Sequence, residues 1–459
     1  MQLSDPFVGS LPSVRERFVR HGLGHVLAIM RELVEPRYYA EHTLARYFAE
    51  HRQLGRSDRA LIAGLVFALV RWRRRLDGAV ARAVSGAWSS TGDLGVLVRC
   101  GALLLAAGYP CDVVAAGMRR CAPLPDEIPE QSERLAATAT AFLDLDPVKA
   151  SSAPELALRA SLPGWVVERW TAQYGWERAR AIAVAMRRRA PVTIRANLLA
   201  TTREAALDEL RRTSVAAQPT DLSPWGIVLD RPEALRPMRA FRDGRIEVQD
   251  EGSQIIALAS GAQPATRVVD ACAGAGGKTL ALAMMMEDTG GILALDTDRA
   301  RLAELAKRAR RAGVHIIATM HPKDAATRGD WRGGAHLVLV DAPCSGSGTW
   351  RRVPDGPDHL VPADLARLAA AQTDILARSA EFVRPGGKLL YATCSLFREE
   401  NEDVVEGWLT DRAEFQTVDA SSALPPDIAA HVGEGRYLVL TPERQGTDGF
   451  FGALVERRA

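Results

Sequence analysis

Cysteine is scarce in this chain, and none of the cysteines is spaced to bind a metal. The 459 residues include six cysteines, with no Cys-x-x-Cys pair and no Cys/His cluster. This pattern excludes a disulfide framework and argues against a structural zinc site, so no metal is expected. Because free thiols persist in a reducing compartment, we expect the protein in the cytoplasm.

A strong charge of one sign and long apolar runs are also missing. The formal net charge is +2, and 47% of the residues are hydrophobic, which is typical of a globular protein. No run of 18 apolar residues occurs, and the N-terminal segment with Asp5 has no apolar core, so neither a membrane span nor a signal peptide is expected. A near-neutral chain can bind nucleic acid only through local basic surfaces.

The length and a change of pattern along the chain predict several domains. Residues 1–145 have apolar positions three and four residues apart, which predicts an all-α domain. Residues 146–164 are rich in proline and serine and predict a linker. Residues 165–244 predict a small α+β domain. Residues 245–459 alternate strands and helices, which is typical of a parallel, doubly wound sheet.

Several elements are predicted individually. A helix is expected to begin near residue 56, with Ser57 or Asp58 as its N-cap. A closing hairpin is expected near the C-terminus, at 437–440 and 450–455. The other predicted strands are 192–198, 267–272, 292–296, 315–320, 337–341 and 388–393.

Two arginine runs in predicted helices leave their role open. The run at 71–75, Arg-Trp-Arg-Arg-Arg, fits either a solvated helix face, which is favoured, or contact with RNA phosphates. The run at 187–189 fits either positive charge at a helix C-terminus or phosphate contact, and the sequence does not separate these two.

A glycine-rich segment, 268–279, predicts a strand that enters a loop at the start of a helix, a common seat for nucleotide-like ligands. A P-loop is excluded because Cys272 stands where its first glycine is required, and a dinucleotide fingerprint is excluded because Thr279 replaces its third glycine. Asp296 ends the next predicted strand and is placed to accept ribose hydroxyls. The alternative, that Asp296 caps the following helix, is weakened because Asp298 can fill that role.

Two cysteines each follow a predicted buried strand. Cys344 stands in Asp-Ala-Pro-Cys-Ser, and Cys394 stands in Thr-Cys-Ser. We expect both thiols at the carboxyl edge of the sheet, facing the glycine loop. A thiolate that adds to carbon 6 of cytosine prepares carbon 5 to accept a methyl group from a sulfonium. Asp341 offers an acid for ring nitrogen 3, and Lys278 offers a charge that pairs with Asp341 or lowers a thiol pKa.

These motifs resemble the RNA 5-methylcytosine methyltransferases of the Nol/Nop/Sun group over roughly residues 160–459. Besides the cysteine motifs and the loop Asp270 to Thr279, the resemblance rests on flanking segments. These are Arg195-Ala196-Asn197, Gln249 to Gln254, Arg352 with Pro354 and Asp355, Glu400 with Asn401, and Asp448 to Phe451.

The resemblance implies a class I S-adenosylmethionine-dependent fold with a seven-stranded, mostly parallel sheet. It implies that Cys394 is the nucleophile and that Cys344 assists proton removal and product release, with Asp341 and Lys278 completing the catalytic set. The implied S-adenosyl-L-methionine contacts are Cys272, Ala273, Gly274, Ala275, Gly276, Gly277, Lys278, Asp296, Asp324 and Asp341.

Two positions depart from the pattern of the group. The group usually has proline where this chain has Ala275, which should leave the loop less rigid. The group also has an acid near the end of the third strand, which contacts the adenosine. Gap-free counting places that position at Pro322, so Asp324, two residues on, is the substitute.

The helical region sharpens the expected substrate. Residues 58–71 resemble the domain shared with the antitermination factor NusB, and this domain on such a core favours 16S ribosomal RNA as the partner. One alternative substrate is transfer RNA. Another alternative is a non-catalytic RNA-binding assembly factor, which predicts loss of Cys394, Asp341 or Asp296, and all three are present. No DNA or membrane partner is expected.

Overall fold

The computed structural model describes residues 16–35, 38–83, 92–121, 128–230, 235–325 and 329–459. The chain forms two compact units, one of Met1–Arg189 with Trp350–Val361 and the other of Ala190–Thr349 with Pro362–Ala459. The domain boundaries expected from the sequence at 145, 164 and 244 stay predictions. None of the described helices is long and apolar enough to cross a membrane.

The first unit consists of helices, and α1 to α7 of these pack around one apolar core. Helix α5 lies at its centre, where Leu97, Leu103 and Leu104 are almost fully buried. The helices are α1 (Glu16–Glu32), α2 (Ala40–Glu50), α3 (Arg56–Arg71), α4 (Arg73–Ala83), α5 (Gly92–Ala106), α6 (Cys111–Cys121), α7 (Ile128–Asp144), α8 (Ala153–Arg159), α9 (Gly164–Tyr174) and α10 (Trp176–Met186).

One local expectation differs from the structure of this unit. Helix α3 has Gly55 as its N-cap, so the assignment of Ser57 or Asp58 was wrong. Asp58 stands at the third helical position, where its carboxylate accepts a hydrogen bond from the Gly55 amide at 3.3 Å. The proline-rich stretch 146–164 contains a 3-10 turn, Pro147–Lys149, and helix α8.

The arginine run at 71–75 lies largely inside the first unit. The guanidinium of Arg75 lies 4.9 Å from the ring of Trp72 and 4.1 Å from that of Phe142, and its Nε donates to the Phe142 carbonyl at 2.9 Å. Arg71 is buried and donates to the carbonyl of Arg351 at 2.9 Å. These two side chains therefore form neither a solvated helix face nor a phosphate contact. Their aliphatic parts and their guanidinium groups are buried in the first unit.

The second unit contains a small antiparallel sheet of order β2-β3-β1-β4. One face of this sheet packs on helix α11 through Ile194, Ile227, Leu207 and Leu210. This confirms the small α+β domain. Its elements are β1 (Val192–Ala196), α11 (Arg203–Arg212), β2 (Ala217–Pro219), β3 (Gly226–Leu229), α12 (Arg239–Arg242) and β4 (Ile246–Val248).

The larger sheet of the second unit has the order β11-β12-β13-β9-β8-β5-β6-β7, and β10 pairs with β13. Neighbours from β9 to β7 are parallel, whereas β13 pairs antiparallel with both β9 and β12. The strands are β5 (Arg267–Asp270), β6 (Gly291–Leu295), β7 (Ile317–Met320), β8 (Ala335–Asp341), β9 (Val383–Thr393), β10 (Phe415–Val418), β11 (Gly433–Glu434), β12 (Tyr437–Leu440) and β13 (Phe450–Arg457).

The path from β12 to β7 contains the seven strands expected of a class I methyltransferase, and the short strands β10 and β11 extend it. The fold-class prediction is therefore confirmed. Helices that accompany this sheet are α13 (Glu251–Ala259), α14 (Gly277–Met285), α15 (Arg299–Ala312), α16 (Pro322–Ala325), α18 (Pro362–Ala380), α19 (Glu402–Leu409), α20 (Pro426–Val432) and α21 (Pro442–Gln445), whereas α17 (Gly356–His359) belongs to the first unit.

Parallel pairing brings the chemistry-bearing residues to one edge of this sheet. Asp270 pairs with Leu339 near the end of β8, and Asp341 pairs with Ala392 near the end of β9. The loops that leave β5, β8 and β9 therefore meet at the carboxyl edge, where open α/β sheets bind their ligands.

Candidate active site

The two thiols singled out in the sequence lie side by side. Sγ of Cys344 and Sγ of Cys394 are 3.4 Å apart, within hydrogen-bond distance for sulfur, and both residues are half-buried. The hydrogen bond with Cys394, together with burial, raises the pKa of the Cys344 thiol well above its ordinary value. The raised pKa keeps the Cys344 thiol protonated, and either sulfur can be the donor in this hydrogen bond.

A fully buried carboxylate joins the two loops that carry these thiols. Oε1 of Glu400 accepts hydrogen bonds from the Ser345 amide at 2.8 Å and from Nε2 of Gln372 at 3.0 Å. Oε2 accepts the hydroxyl of Ser395 at 2.5 Å. Since Ser345 follows Cys344 and Ser395 follows Cys394, Glu400 fixes the separation of the two sulfurs. We call the side chains of Glu400, Gln372 and Ser395, together with the Ser345 amide, the Glu400 network.

The backbone adds a second connection between the loops. The Gly348 amide donates to the Cys394 carbonyl at 2.8 Å, and the Gly449 amide donates to the Gly348 carbonyl at 2.8 Å. A Cβ at Gly348 would lie only 2.2 Å from the carbonyl oxygen of Gly449. Glycine is required at this position because any side chain would separate the two backbones.

An ion pair lies beside the thiols. Nζ of Lys278 donates to Oδ2 of Asp341 at 2.7 Å, and Lys278 is buried while Asp341 is partly exposed. Burial lowers the pKa of Lys278, but Asp341 and then the neighbouring Cys394 and Asp270 outweigh that effect, so the pKa lies above its usual value. Lys278 is therefore a permanent cation near Cys394, and its predicted pairing with Asp341 is present.

The glycine loop after β5 is supported by the aspartate that ends the next strand. The Gly274 amide donates to Oδ2 of Asp296 at 2.8 Å, and the Asp298 amide donates to Oδ1 at 2.8 Å. Asp298, in contrast, caps helix α15 by accepting hydrogen bonds from the amides of Ala300 and Arg301. The alternative that Asp296 caps this helix is thereby removed, and its carboxylate faces the loop.

Behind the loop, Asp270 is buried and accepts the hydroxyl of Thr279 at 2.7 Å. Burial raises the pKa of Asp270 to about 7, although the hydrogen bond from Thr279 opposes this rise. Burial also raises the pKa of the Cys272 thiol, so this third cysteine is a neutral part of the loop.

Asp324 is more exposed to solvent than the residues of this cluster. It lies in the short helix α16 after β7, with 63% of its side chain exposed and Arg299 at 4.0 Å. Its proposed contact with adenosine remains a prediction. No three His, Cys, Asp or Glu side chains of the described residues converge in the manner of a metal site.

The sequence singled out the two cysteines and the Lys278–Asp341 pair that the structure brings together, but not the residues that hold their loops in place. Glu400 was noticed only as part of a motif, and Gln372 was not singled out at all. The signal for Glu400 was its position six residues after a strand-ending cysteine. A charged residue so close to a buried strand must be paired or hydrogen-bonded.

Comparison with known proteins identifies the family. A family model described as 16S rRNA methyltransferase RsmB/F matches residues 256–456, and one described as the RsmF/B-like ferredoxin-like domain matches residues 162–236. The chain is 33% identical over 316 residues to the probable ribosomal RNA small subunit methyltransferase B of Bacillus subtilis, covering 68% of this chain and 69% of that protein. The chain belongs to the 16S rRNA methyltransferase RsmB/F family.

Other members and a solved structure agree with this assignment. The ribosomal RNA small subunit methyltransferase B of Xylella fastidiosa (strain 9a5c) is 35% identical, covering 66% of this chain and 70% of that protein. The crystal structure of a methyltransferase homologue from Pyrococcus horikoshii is 27% identical with a TM-score of 0.56, covering 67% of this chain and 99% of that one. The RsmB/F family comprises S-adenosyl-L-methionine-dependent RNA cytosine-5 methyltransferases.

The loop of this RsmB/F family member fits such a cofactor. A Cβ added at Gly274 or at Gly277 would meet no atom within 4 Å, so the loop presents open backbone. The carboxylate of Asp296 at its side is suited to the hydroxyls of a ribose. A partly exposed glycine backbone offers hydrogen-bond donors and the carboxylate beside it offers acceptors, a combination that suits an adenosine-like ligand.

Proposed function

We propose that this protein methylates carbon 5 of a cytosine in 16S ribosomal RNA through a covalent adduct with Cys394. The observation that carries the proposal is the 3.4 Å contact between Cys344 and Cys394, beside the ion pair of Lys278 and Asp341. Two thiols in contact beside a cation are what nucleophilic attack and later release of a pyrimidine need.

Cys394 is the proposed nucleophile. Its sulfur lies 3.4 Å from that of Cys344 and near the cation of Lys278, which can stabilise negative charge that develops beside it. The thiolate forms a bond to carbon 6 of the ring, and the displaced electron pair moves toward ring nitrogen 3, which takes up a proton from solvent. The ring must be out of a helical stack, because attack occurs on its face.

Asp341 and Lys278 hold the ring during this step. The carboxylate of Asp341 can accept the N–H that forms at ring nitrogen 3, while the hydrogen bond from Lys278 orients that carboxylate. The charge on Asp341 therefore stabilises the adduct rather than the free base, which is the requirement for catalysis. When bound, S-adenosyl-L-methionine supplies the methyl group as a sulfonium electrophile.

Cys344 is the proposed base for the last step. Formation of the carbon–sulfur bond removes the negative charge of Cys394, and with it the main reason for the raised pKa of Cys344. Cys344 can then release its proton to solvent and accept the proton of carbon 5. The carbon–sulfur bond breaks, ring nitrogen 3 returns its proton, and Cys394 leaves as the thiolate.

The proposed cofactor contacts are the backbone from Cys272 to Lys278, the carboxylate of Asp296 and, at the more exposed end, Asp324. Asp341 borders the same space. The names of the relatives, which are small-subunit ribosomal RNA methyltransferases, support ribosomal RNA over transfer RNA as the substrate.

Bisulfite sequencing of RNA tests the proposal in cells. Ribosomal and transfer RNA would be compared between the wild type, a gene deletion, and the deletion complemented with wild type or Cys394→Ala. We expect one protected cytosine of 16S RNA to be lost in the deletion and restored only by the wild type. Loss of a transfer RNA site instead would overturn the substrate, and no loss at all would favour the non-catalytic assembly factor.

A further inference from the structure

A side chain of helix α15 reaches the backbone of the cofactor loop. Nη1 of Arg308 donates to the carbonyl of Ala275 at 2.6 Å, and Nη2 of the same guanidinium donates to Glu247 at 2.9 Å. Both are charge-assisted hydrogen bonds, which are stronger than neutral ones. One planar group therefore connects the loop to strand β4 of the small sheet.

The far end of this connection is itself fixed. Glu247 is 2% exposed and also forms an ion pair with Arg311, one turn further along the helix. The guanidinium of Arg311 lies 4.0 Å from the ring of Phe241. A buried carboxylate shared by two arginines holds Arg308 in one orientation, so the loop carbonyl is held by a pre-positioned donor rather than by a mobile surface side chain.

The loop has little stiffness of its own at this point. Ala275 stands between Gly274 and Gly276, whose φ angles are 54° and 89°, in the left-handed region that glycine populates freely. A proline at 275 would restrict the backbone, and alanine does not. Helix α15 also supports the loop at Gly276, where an added Cβ would lie 2.6 Å from Cγ of Leu305.

We propose that Arg308 is a positioning residue for the cofactor. By holding the Ala275 carbonyl, it fixes the loop in the conformation that binds S-adenosyl-L-methionine and takes over the stiffening that proline provides in the resembled group. The inference rests on the proposed assignment of this loop as the cofactor site. Arg308 acts through the loop backbone.

Titration calorimetry and steady-state kinetics on the full-length protein test this role. Arg308→Ala should weaken binding of S-adenosyl-L-methionine by roughly tenfold, the loss expected for one hydrogen bond to a charged group. The KM for the cofactor should rise by a similar factor, with kcat and the KM for RNA within about twofold of wild type. Arg308→Lys should be intermediate, because an ammonium does not bridge two acceptors as a guanidinium does.

Arg310→Ala is the matched control, since Arg310 is exposed on the same helix. Equal cofactor affinity in Arg308→Ala and Arg310→Ala would overturn the inference, as would parallel losses in cofactor and RNA affinity. Should Arg308→Ala not fold, Arg308→Lys and Arg308→Gln carry the same comparison. Asp296→Ala distinguishes failure of the Arg308 inference from failure of the proposed cofactor site. If Asp296→Ala also leaves cofactor affinity unchanged, the assignment of the loop as the cofactor site is wrong.

Discussion

The thiol side and the cofactor side of the site are held together in different ways. The thiol loops share one buried carboxylate, Glu400, which contacts residues adjacent to both cysteines. The cofactor loop is held by separate contacts, from Asp296 on one side and Arg308 on the other. Substitutions in the thiol loops should therefore lower the rate of catalysis strongly. Substitutions that remove single contacts of the cofactor loop should instead weaken the affinity for the cofactor in graded steps.

The largest effect is expected from removal of the nucleophile. Cys394→Ala should lower methyl transfer to 16S RNA by at least about 10³-fold, since no other group can form the adduct. RNA affinity should stay within a few-fold of wild type, because the thiol is half-buried and small. Transfer of a radiolabelled methyl group and a filter-binding assay measure the two quantities. Appreciable turnover would remove Cys394 from the mechanism.

Breaking the Glu400 network should be the next largest effect. Glu400→Ala leaves the Ser345 amide, Ser395 and Gln372 without their shared acceptor, at a cost of about 1–3 kcal/mol per unsatisfied group. We expect an unfolding free energy lower by roughly 3 kcal/mol or more and a kcat reduced by about 10²-fold.

Glu400→Gln is the matched control for this prediction. Its amide oxygen can accept the same two hydrogen bonds as Oε1, and its NH2 can donate to the Ser395 hydroxyl after that group rotates. Urea denaturation and single-turnover kinetics should place it close to wild type. If Glu400→Ala matched Glu400→Gln in both measurements, the network would not set the thiol spacing.

On the cofactor side, Asp296→Ala should weaken S-adenosyl-L-methionine binding by about 1–3 kcal/mol, the value of a lost hydrogen-bonding carboxylate. The loop also loses its contact at the Gly274 amide. Calorimetry would measure this loss, with Asp298→Ala as the helix-cap control. An unchanged dissociation constant would contradict the ribose contact.

The last prediction concerns stability rather than catalysis, namely the pH dependence caused by the buried acid behind the loop. The pKa of Asp270 is raised to about 7, so the folded protein binds more protons than the unfolded chain from about pH 4 to pH 7. Its contribution to stability is therefore present at low pH and is lost as the pH rises through 7. Asp270→Asn should flatten the decline of unfolding free energy over this range by about 1–4 kcal/mol in urea titrations. Parallel curves for both proteins would contradict the raised pKa.

The positions of the proposed reacting groups could be predicted from the sequence because each follows a strand of the parallel sheet, while their catalytic roles stay predictions. The seven-stranded sheet, the pair of Cys344 and Cys394, and the partner of Lys278 all follow from parallel strands that end at one edge. The ion pair of Arg308 with Glu247 did not follow, because it joins positions 61 residues apart, one on helix α15 and one on strand β4 of the small sheet. Such contacts depend on tertiary packing that no local spacing encodes.

The arginine run at 71–75 is a second case in which tertiary packing, and not the local sequence pattern, determines the environment of the side chains. Its pattern is that of a solvated or RNA-binding helix face, yet Arg71 and Arg75 are buried. The ring of Phe142, from helix α7, packs against the guanidinium of Arg75, and helical periodicity does not reveal that contact. The N-cap of α3 is a similar case. Asp58 was expected to cap the helix from outside, but its carboxylate accepts the Gly55 amide from the third helical position, and Gly55 is the N-cap.

The most direct test of the two-thiol mechanism is whether removal of Cys344 traps the RNA on Cys394. Cys344→Ala would be incubated with 16S ribosomal RNA and S-adenosyl-L-methionine and then analysed by denaturing electrophoresis. The account predicts a slowly migrating, ribonuclease-sensitive protein–RNA band that is absent from Cys394→Ala and from the double variant. Absence of the band from Cys344→Ala under turnover conditions, or its persistence in the double variant, would contradict the account.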